Sequence, residues 1–203
     1  VAEAQKLPVV FYTEGGGGRP GDVDALGVSG LDTPTFRSFA ALSGKAPRVG
    51  ITTGFSFAGN AVLYGCCDVT IATRDAHIGM GGPAMIEGGG LGVVKPTDIG
   101  PIDVQTANGV VDVRVKDEEE AVAVAKKYLS YFQGPVTAWS EHDQRELRHV
   151  VPENRLRVYD VRRVIELIGD VGSVLELRPE FGRAMVTALA RVEGRPVGII
   201  ANN

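Results

Sequence analysis

Cysteine is nearly absent from this chain: there are two in 203 residues, and they are neighbours, Cys66 and Cys67. Adjacent cysteines cannot bridge each other without strain and lack the CxxC spacing of a metal clip, so they are expected to be small buried hydrophobes. Histidine is scarce too. His77, His142 and His149 have neither HxH nor HExxH spacing, and no metal site is assigned. No apolar run approaches the ~20 residues of a membrane span, and the first residues carry neither a basic stretch nor an apolar signal core. Positive charge is not in excess. The 21 Lys and Arg stand against 25 Asp and Glu, a formal net charge of -4 with the signs interspersed, so nucleic-acid binding has no electrostatic footprint. These absences predict a globular protein with neither membrane nor nucleic acid as partner, and a cytoplasmic location.

What is present is hydrophobic and rich in glycine: 44% of residues are hydrophobic and 27 are Gly. That suffices for one good core or two small ones. Apolar runs at Leu7 to Thr13, Arg48 to Thr53, Val69 to Ala72 and Val110 to Val115 predict strands, the first buried on both faces as in a mostly parallel sheet. Between them, Thr33-Pro34 opens a short helix that Gly44 closes. A second helix starts at about Asp117, with Glu118, Glu119 and Glu120 in its first turn, and ends at Gly134-Pro135. The strand-helix-strand rhythm is that of an α/β layered domain. Between Gly79 and Gly100 the composition favours a flexible loop over a long regular element. Residues 135–155 are polar and predict a linker. Beyond it, a helix from Asp160 to Gly169 and a short strand at Leu175 to Leu177 precede two strands, Ala184 to Val192 and Pro196 to Ala201, joined by the hairpin signal Glu193-Gly194. This last unit is expected to be part of a larger domain.

Three glycine motifs compete for the function. Gly16-x-Gly18-x-x-Gly21 formally matches a dinucleotide fingerprint, but Pro20-Gly21-Asp22 opposes the helix that the fingerprint needs at that point. Gly54-x-Ser56-x-Ala58 is close to a nucleophile elbow and would make Ser56 the nucleophile of a serine hydrolase, with Asp68 or Asp103 and one of the histidines downstream. The third motif is the run Gly54 to Asp68, in which small residues after a strand open a helix at Ala58-Gly59-Asn60-Ala61. Small side chains there let a ligand approach the backbone N–H groups, the local chemistry of an oxyanion hole.

That third motif, with Cys67-Asp68, resembles the second half of the crotonase signature. Within that superfamily the chain most resembles the carboxyltransferase (β) subunit of biotin-dependent acyl-CoA carboxylases, of the propionyl-CoA and acetyl-CoA carboxylase type. Thr13-Glu14-Gly15-Gly16-Gly17-Gly18-Arg19 is similar to that family's Ser-Gly-Gly-Ala-Arg loop, and Ala58-Gly59-Asn60-Ala61-Val62 to its Ala-Gly-Gly-Ala-Val. Gly82-Pro83-Ala84-Met85-Ile86 matches a Gly-Pro-x-Val-Val/Ile segment. Glu176-Leu177-Arg178-Pro179-Glu180-Phe181-Gly182 and Ala188 to Asn202 carry the likeness through the last third.

The resemblance implies an α/β, crotonase-like (ClpP/crotonase) layered domain over 1–134, a linker over 135–155, and the start of a second crotonase-like, biotin-side domain over 156–203. In that picture the chain is an internal portion of a longer subunit that holds the thioester half of the site. The implied reaction moves a carboxyl group from carboxybiotin to the α-carbon of an acyl-CoA through an enolate. The implied catalytic donors are the backbone amides of Gly59 and Asn60. Gly16, Gly17, Gly18, Arg19, Ala58, Gly82 and Pro83 are implied to bind substrate, and no metal is implied. Biotin would arrive on a carrier domain of a biotin carboxylase or carrier partner, and the subunit would assemble as a homo-oligomer, a hexamer by resemblance. The same scaffold would serve a biotin-dependent acyl-CoA decarboxylase, or a non-catalytic acyl-CoA-binding scaffold subunit if Asn60 closed the hole.

Overall fold

The computed structural model describes residues 1–16, 34–154 and 156–203, arranged as two compact units, Val1–Val122 and Ala123–Asn203. In the first unit a short helix α1 (Ala2–Gln5) precedes strand β1 (Val9–Tyr12), helix α2 (Pro34–Ala40) and strand β2 (Arg48–Thr52). Strand β3 (Phe55–Phe57) runs directly into helix α3 (Gly59–Gly65), and β4 (Val69–Thr73), β5 (His77–Gly79) and α4 (Pro83–Gly88) follow. Helix α5 (Ile102–Ala107), strand β6 (Val113–Val115) and helix α6 (Glu118–Ser130) complete this part, α6 containing the point where the two units divide.

The main sheet is parallel, in the order β1-β2-β4-β6, with Val9 opposite Arg48, Val49 opposite Val69 and Ile71 opposite Val113. Parallel strands are covered on both faces, and β2 and β4 obey this at all five positions. β1 departs from the expectation of a strand buried on both faces. It lies at the border of the described sheet, and Val10 and Tyr12 are exposed. Arg48 opens β2 as a buried cation and is matched there by Asp68, whose carboxylate accepts from the Arg48 backbone N–H at 2.8 Å and from Nη2 at 2.6 Å. Asp68 of the Cys67-Asp68 pair therefore pins the start of β2 beside the start of β4.

A second, two-stranded parallel sheet pairs β3 with β5. Neither was legible as a separate strand, since three residues give too short a period to read. The glycine-rich run after Gly79 carries one six-residue helix, α4, which Pro83 opens.

The second unit holds α7 (Leu147–Val150), α8 (Val161–Ile168) and an antiparallel sheet in the order β7 (Leu175–Leu177), β8 (Met185–Val192), β9 (Arg195–Asn202). Asp160 caps α8, its carboxylate accepting from the Arg162 backbone N–H at 2.9 Å, and Gly169 follows the last turn, as the sequence predicts. Glu193 and Gly194 both adopt positive φ, 51° and 75°, the geometry of a two-residue type I′ hairpin. Asp170 holds that turn from below: Oδ1 accepts from Glu193 N–H at 2.9 Å and Oδ2 from Gly194 N–H at 2.7 Å.

Candidate active site

The corner between β3 and α3 is built on Phe57, which is buried. Ala58, the next residue, takes φ 52° and ψ -123°, a conformation that side chains rarely adopt. Its N–H donates to Gly79 O at 3.1 Å, tying the bend to the end of β5. The bend turns the chain sharply into α3. Val62 N–H is the first to return to the corner, donating to Ala58 O at 3.1 Å. Among the described residues, the amides of Gly59, Asn60 and Ala61 find no acceptor, as the first donors of a helix do not. A Cβ on Gly59 would lie 2.9 Å from Phe36 Cζ, so a side chain there requires the Phe36 ring to shift.

Three of the sequence-predicted stretches meet around Phe57. A Cβ on Gly16 would lie 4.0 Å from Phe57 Cβ, and one on Gly82 would lie 3.5 Å from Phe57 Cδ2. Gly82 precedes the first turn of α4, its carbonyl accepting from Met85 N–H at 3.1 Å, and Pro83 is the first helical residue. The structure thus brings Gly16, Ala58, Gly59, Asn60, Gly82 and Pro83 to one place. Gly17, Gly18 and Arg19 lie outside the described residues.

The segment before Gly16 is fastened to the corner at several points. Gly15 pairs with β3 on both sides, its N–H donating to Phe55 O at 2.8 Å and its carbonyl accepting from Phe57 N–H at 2.8 Å. The Glu14 carboxylate accepts from Thr53 Oγ1 at 2.8 Å and from the Thr53 backbone N–H. The Glu14 carbonyl accepts from Asn60 Nδ2 at 2.8 Å. Glu14, Phe36 and Phe57 were not singled out in the sequence. No periodic signal marked them, because Phe55 is exposed while Ser56 and Phe57 are buried, so the Phe-Ser-Phe run does not alternate with burial.

Ser56 is fully buried, and its Oγ donates to Thr13 Oγ1 at 3.3 Å. A hydroxyl sealed beneath the corner is not presented to a substrate. His77, on the neighbouring strand β5, stacks on Phe55 with ring centroids 5.1 Å apart, and its Nδ1 lies 3.3 Å from Ile99 O. Cys67 is inert in a different way: burial pushes its thiol up to about 12, with the Arg48 charge pulling the other way. Among the described residues no three His, Cys, Asp or Glu are grouped so that they could hold a metal ion.

A buried aromatic floor, a left-handed bend and unpaired amides define a corner that can accept an anionic or polarised oxygen. The chain belongs to the carboxyl transferase domain family, whose model matches residues 1–203. A single-chain, multi-domain long-chain acyl-CoA carboxylase of known structure is 62% identical, with a TM-score of 0.94 over 100% of this chain and 20% of that one. The methylmalonyl-CoA carboxyltransferase 12S subunit of Propionibacterium freudenreichii subsp. shermanii is 33% identical over 207 residues, 96% of this chain and 38% of that protein. The transcarboxylase 12S crystal structure, a hexamer with methylmalonyl-CoA and methylmalonic acid bound, is 30% identical with a TM-score of 0.80, over 100% of this chain and 41% of that one. The fold is therefore the crotonase-like α/β fold of the carboxyltransferases. The chain spans less than half the length of each of these relatives. No helix among the described residues is long and apolar enough to cross a membrane.

Proposed function

We propose that this chain supplies the thioester side of a biotin-dependent acyl-CoA carboxyltransferase, with the amides of Gly59 and Asn60 as the donors to the thioester oxygen. The observation that carries the reading is the pair of unpaired amides behind the left-handed Ala58, in a chain matched along its whole length by a carboxyltransferase family. When the α-proton of an acyl thioester leaves, negative charge moves onto the carbonyl oxygen. Fixed N–H donors stabilise that charge more than they stabilise the neutral thioester, and one such donor contributes about 3 kcal/mol to lowering a barrier. No side-chain base is needed on this face, in keeping with the buried Ser56 and the stacked His77.

Carboxybiotin, the donor, is a substrate brought by a carrier, and it supplies the carboxyl group that the enolate carbon accepts. None of the described residues is assigned to it. Gly16 to Arg19, Gly82 and Pro83 are proposed to border the acyl-CoA. We extend the reading to a long acyl chain, on the 62% identity to a long-chain acyl-CoA carboxylase. The apolar side chains of Met80, Met85, Leu91 and Val93, all exposed on the segment that leaves Gly79, favour it as well. A hexamer served by a biotin carboxylase or carrier partner belongs to the same proposal, supported by the hexameric transcarboxylase. So does a cytoplasmic location.

The test is carboxylation of acetyl-, propionyl- and palmitoyl-CoA by the full-length protein with a carboxylated biotin carrier. Turnover is expected, with the highest kcat/KM for palmitoyl-CoA. Absence of carboxylation of all three would overturn the reading. Ser56→Ala is expected to keep kcat within about threefold, since it removes one neutral hydrogen bond from beneath the corner. A complete loss would overturn the assignment of the chemistry to the backbone donors.

A further inference from the structure

Asn60 stands where the resembled family pattern has its second glycine, so its side chain is an addition to the corner. Its Nδ2 donates to the Glu14 carbonyl at 2.8 Å. Room for this bond comes from Gly15, where a Cβ would lie 2.8 Å from Asn60 Nδ2 and where φ is +126°. Gly15 is itself stitched into β3 on both sides. One residue therefore touches both halves of the corner: its main chain offers an amide from α3, and its side chain holds the strap from which Gly16 and the glycine-rich loop depart.

We infer that Asn60 is a positioning residue whose side-chain amide fixes the Glu14-to-Gly16 strap against the start of α3, setting where acyl-CoA lies relative to the oxyanion donors. The inference rests on the proposed thioester site, and it assigns to the side chain a role separate from that of the backbone N–H. Glycine at this position would leave the donor in place and release the strap. Aspartate would set a carboxylate against the Glu14 carbonyl, two acceptors face to face, until the carboxylate is protonated and can donate in its turn.

The experiment uses the full-length protein, wild type, N60A, N60G and N60D, with two independent readouts. The first is hydrogen exchange at the Gly15 and Phe57 amides. It reports the strap alone and is expected to speed up about tenfold in N60A and N60G, the loss of one hydrogen bond holding the segment. The second is steady-state carboxylation: KM for acyl-CoA is expected to rise about tenfold in N60A and N60G, a larger change than any in kcat, because the side chain and not the backbone donor is removed. In N60D the KM deficit is expected to be larger at pH 8 and to shrink on acidification towards the ordinary carboxyl range, whereas in N60A it stays constant with pH. Unchanged exchange in N60A and N60G overturns the latch, and faster exchange with unchanged KM overturns its positioning role. If wild type fails to carboxylate any acyl-CoA while exchange responds as expected, the fault lies with the proposed reaction, and the positioning role falls with it while the latch stands. If N60D does not fold, the N60A and N60G comparison still decides.

Discussion

Ala58 carries an angular cost that its sequence neighbours hide. An alanine at φ 52° and ψ -123° sits in a region where only glycine is at ease, and such a residue stores about 1–3 kcal/mol. Ala58→Gly is therefore expected to raise or leave unchanged the urea midpoint, although alanine to glycine ordinarily lowers it; a drop of more than about 1 kcal/mol would show that the bend is unstrained. Gly59 makes the opposite case. Gly59→Ala drives a methyl group to 2.9 Å from the Phe36 ring and is expected to cost about 1–3 kcal/mol of stability. Adding Phe36→Leu should recover part of that loss in a double-mutant cycle, whereas strict additivity would place the clash elsewhere. At this scale the sequence showed the small residues and where the helix starts. It did not show the reason for them, because the partners that demand smallness, Phe36 and Phe57, come from other elements or face inward from the preceding strand.

Among the elements, the β8–β9 hairpin was the most legible, since two alternating runs around Glu193-Gly194 leave few other readings. What the sequence did not show is that the turn leans on Asp170, a buried acid outside both strands. Asp170→Ala strips two backbone donors of their acceptor and is expected to destabilise the protein by about 2–4 kcal/mol in urea titration. Asp170→Asn, which keeps one acceptor, should lose about half as much. Nearby, the buried Arg191 donates Nη1 to the Gly134 and Gly194 carbonyls and Nη2 to the Ser130 carbonyl, with its guanidinium 5.5 Å from the centre of the Tyr131 ring. The short strands β3 and β5 were invisible for the opposite reason: they pair with each other and with the single residues Gly15 and Pro101, and three residues carry no pattern of their own.

For the molecule as a whole, proton linkage gives a direct prediction. Burial pushes the Cys67 thiol and, opposed by the Arg191 charge, the Tyr131 hydroxyl up to about 12, from ordinary values of 9.0 and 10.0. Both groups hold their protons more firmly folded than unfolded. The stability they contribute is complete below pH 9 and declines as pH rises towards 12. Denaturation midpoints measured from pH 7 to pH 11 should be level at first and then fall, and Cys67→Ala should flatten part of the fall. A midpoint that rises above pH 9 would contradict the assignment.

The pairing of β8 with β9 through a two-residue turn has a consequence in time. Its register joins Val192 to Arg195 and then zips outward through neighbours close in the chain, so closing it costs little loop entropy and takes microseconds. The parallel pairing of β1 with β2 must first gather everything between them, α2 included, before Val9 meets Arg48. In a refolding experiment read by pulsed deuterium labelling, the amides of Met185 to Asn202 should be shielded early and those of Val9 to Tyr12 late. The corner at Ala58 would then be among the last features to form, because its strap follows directly from β1.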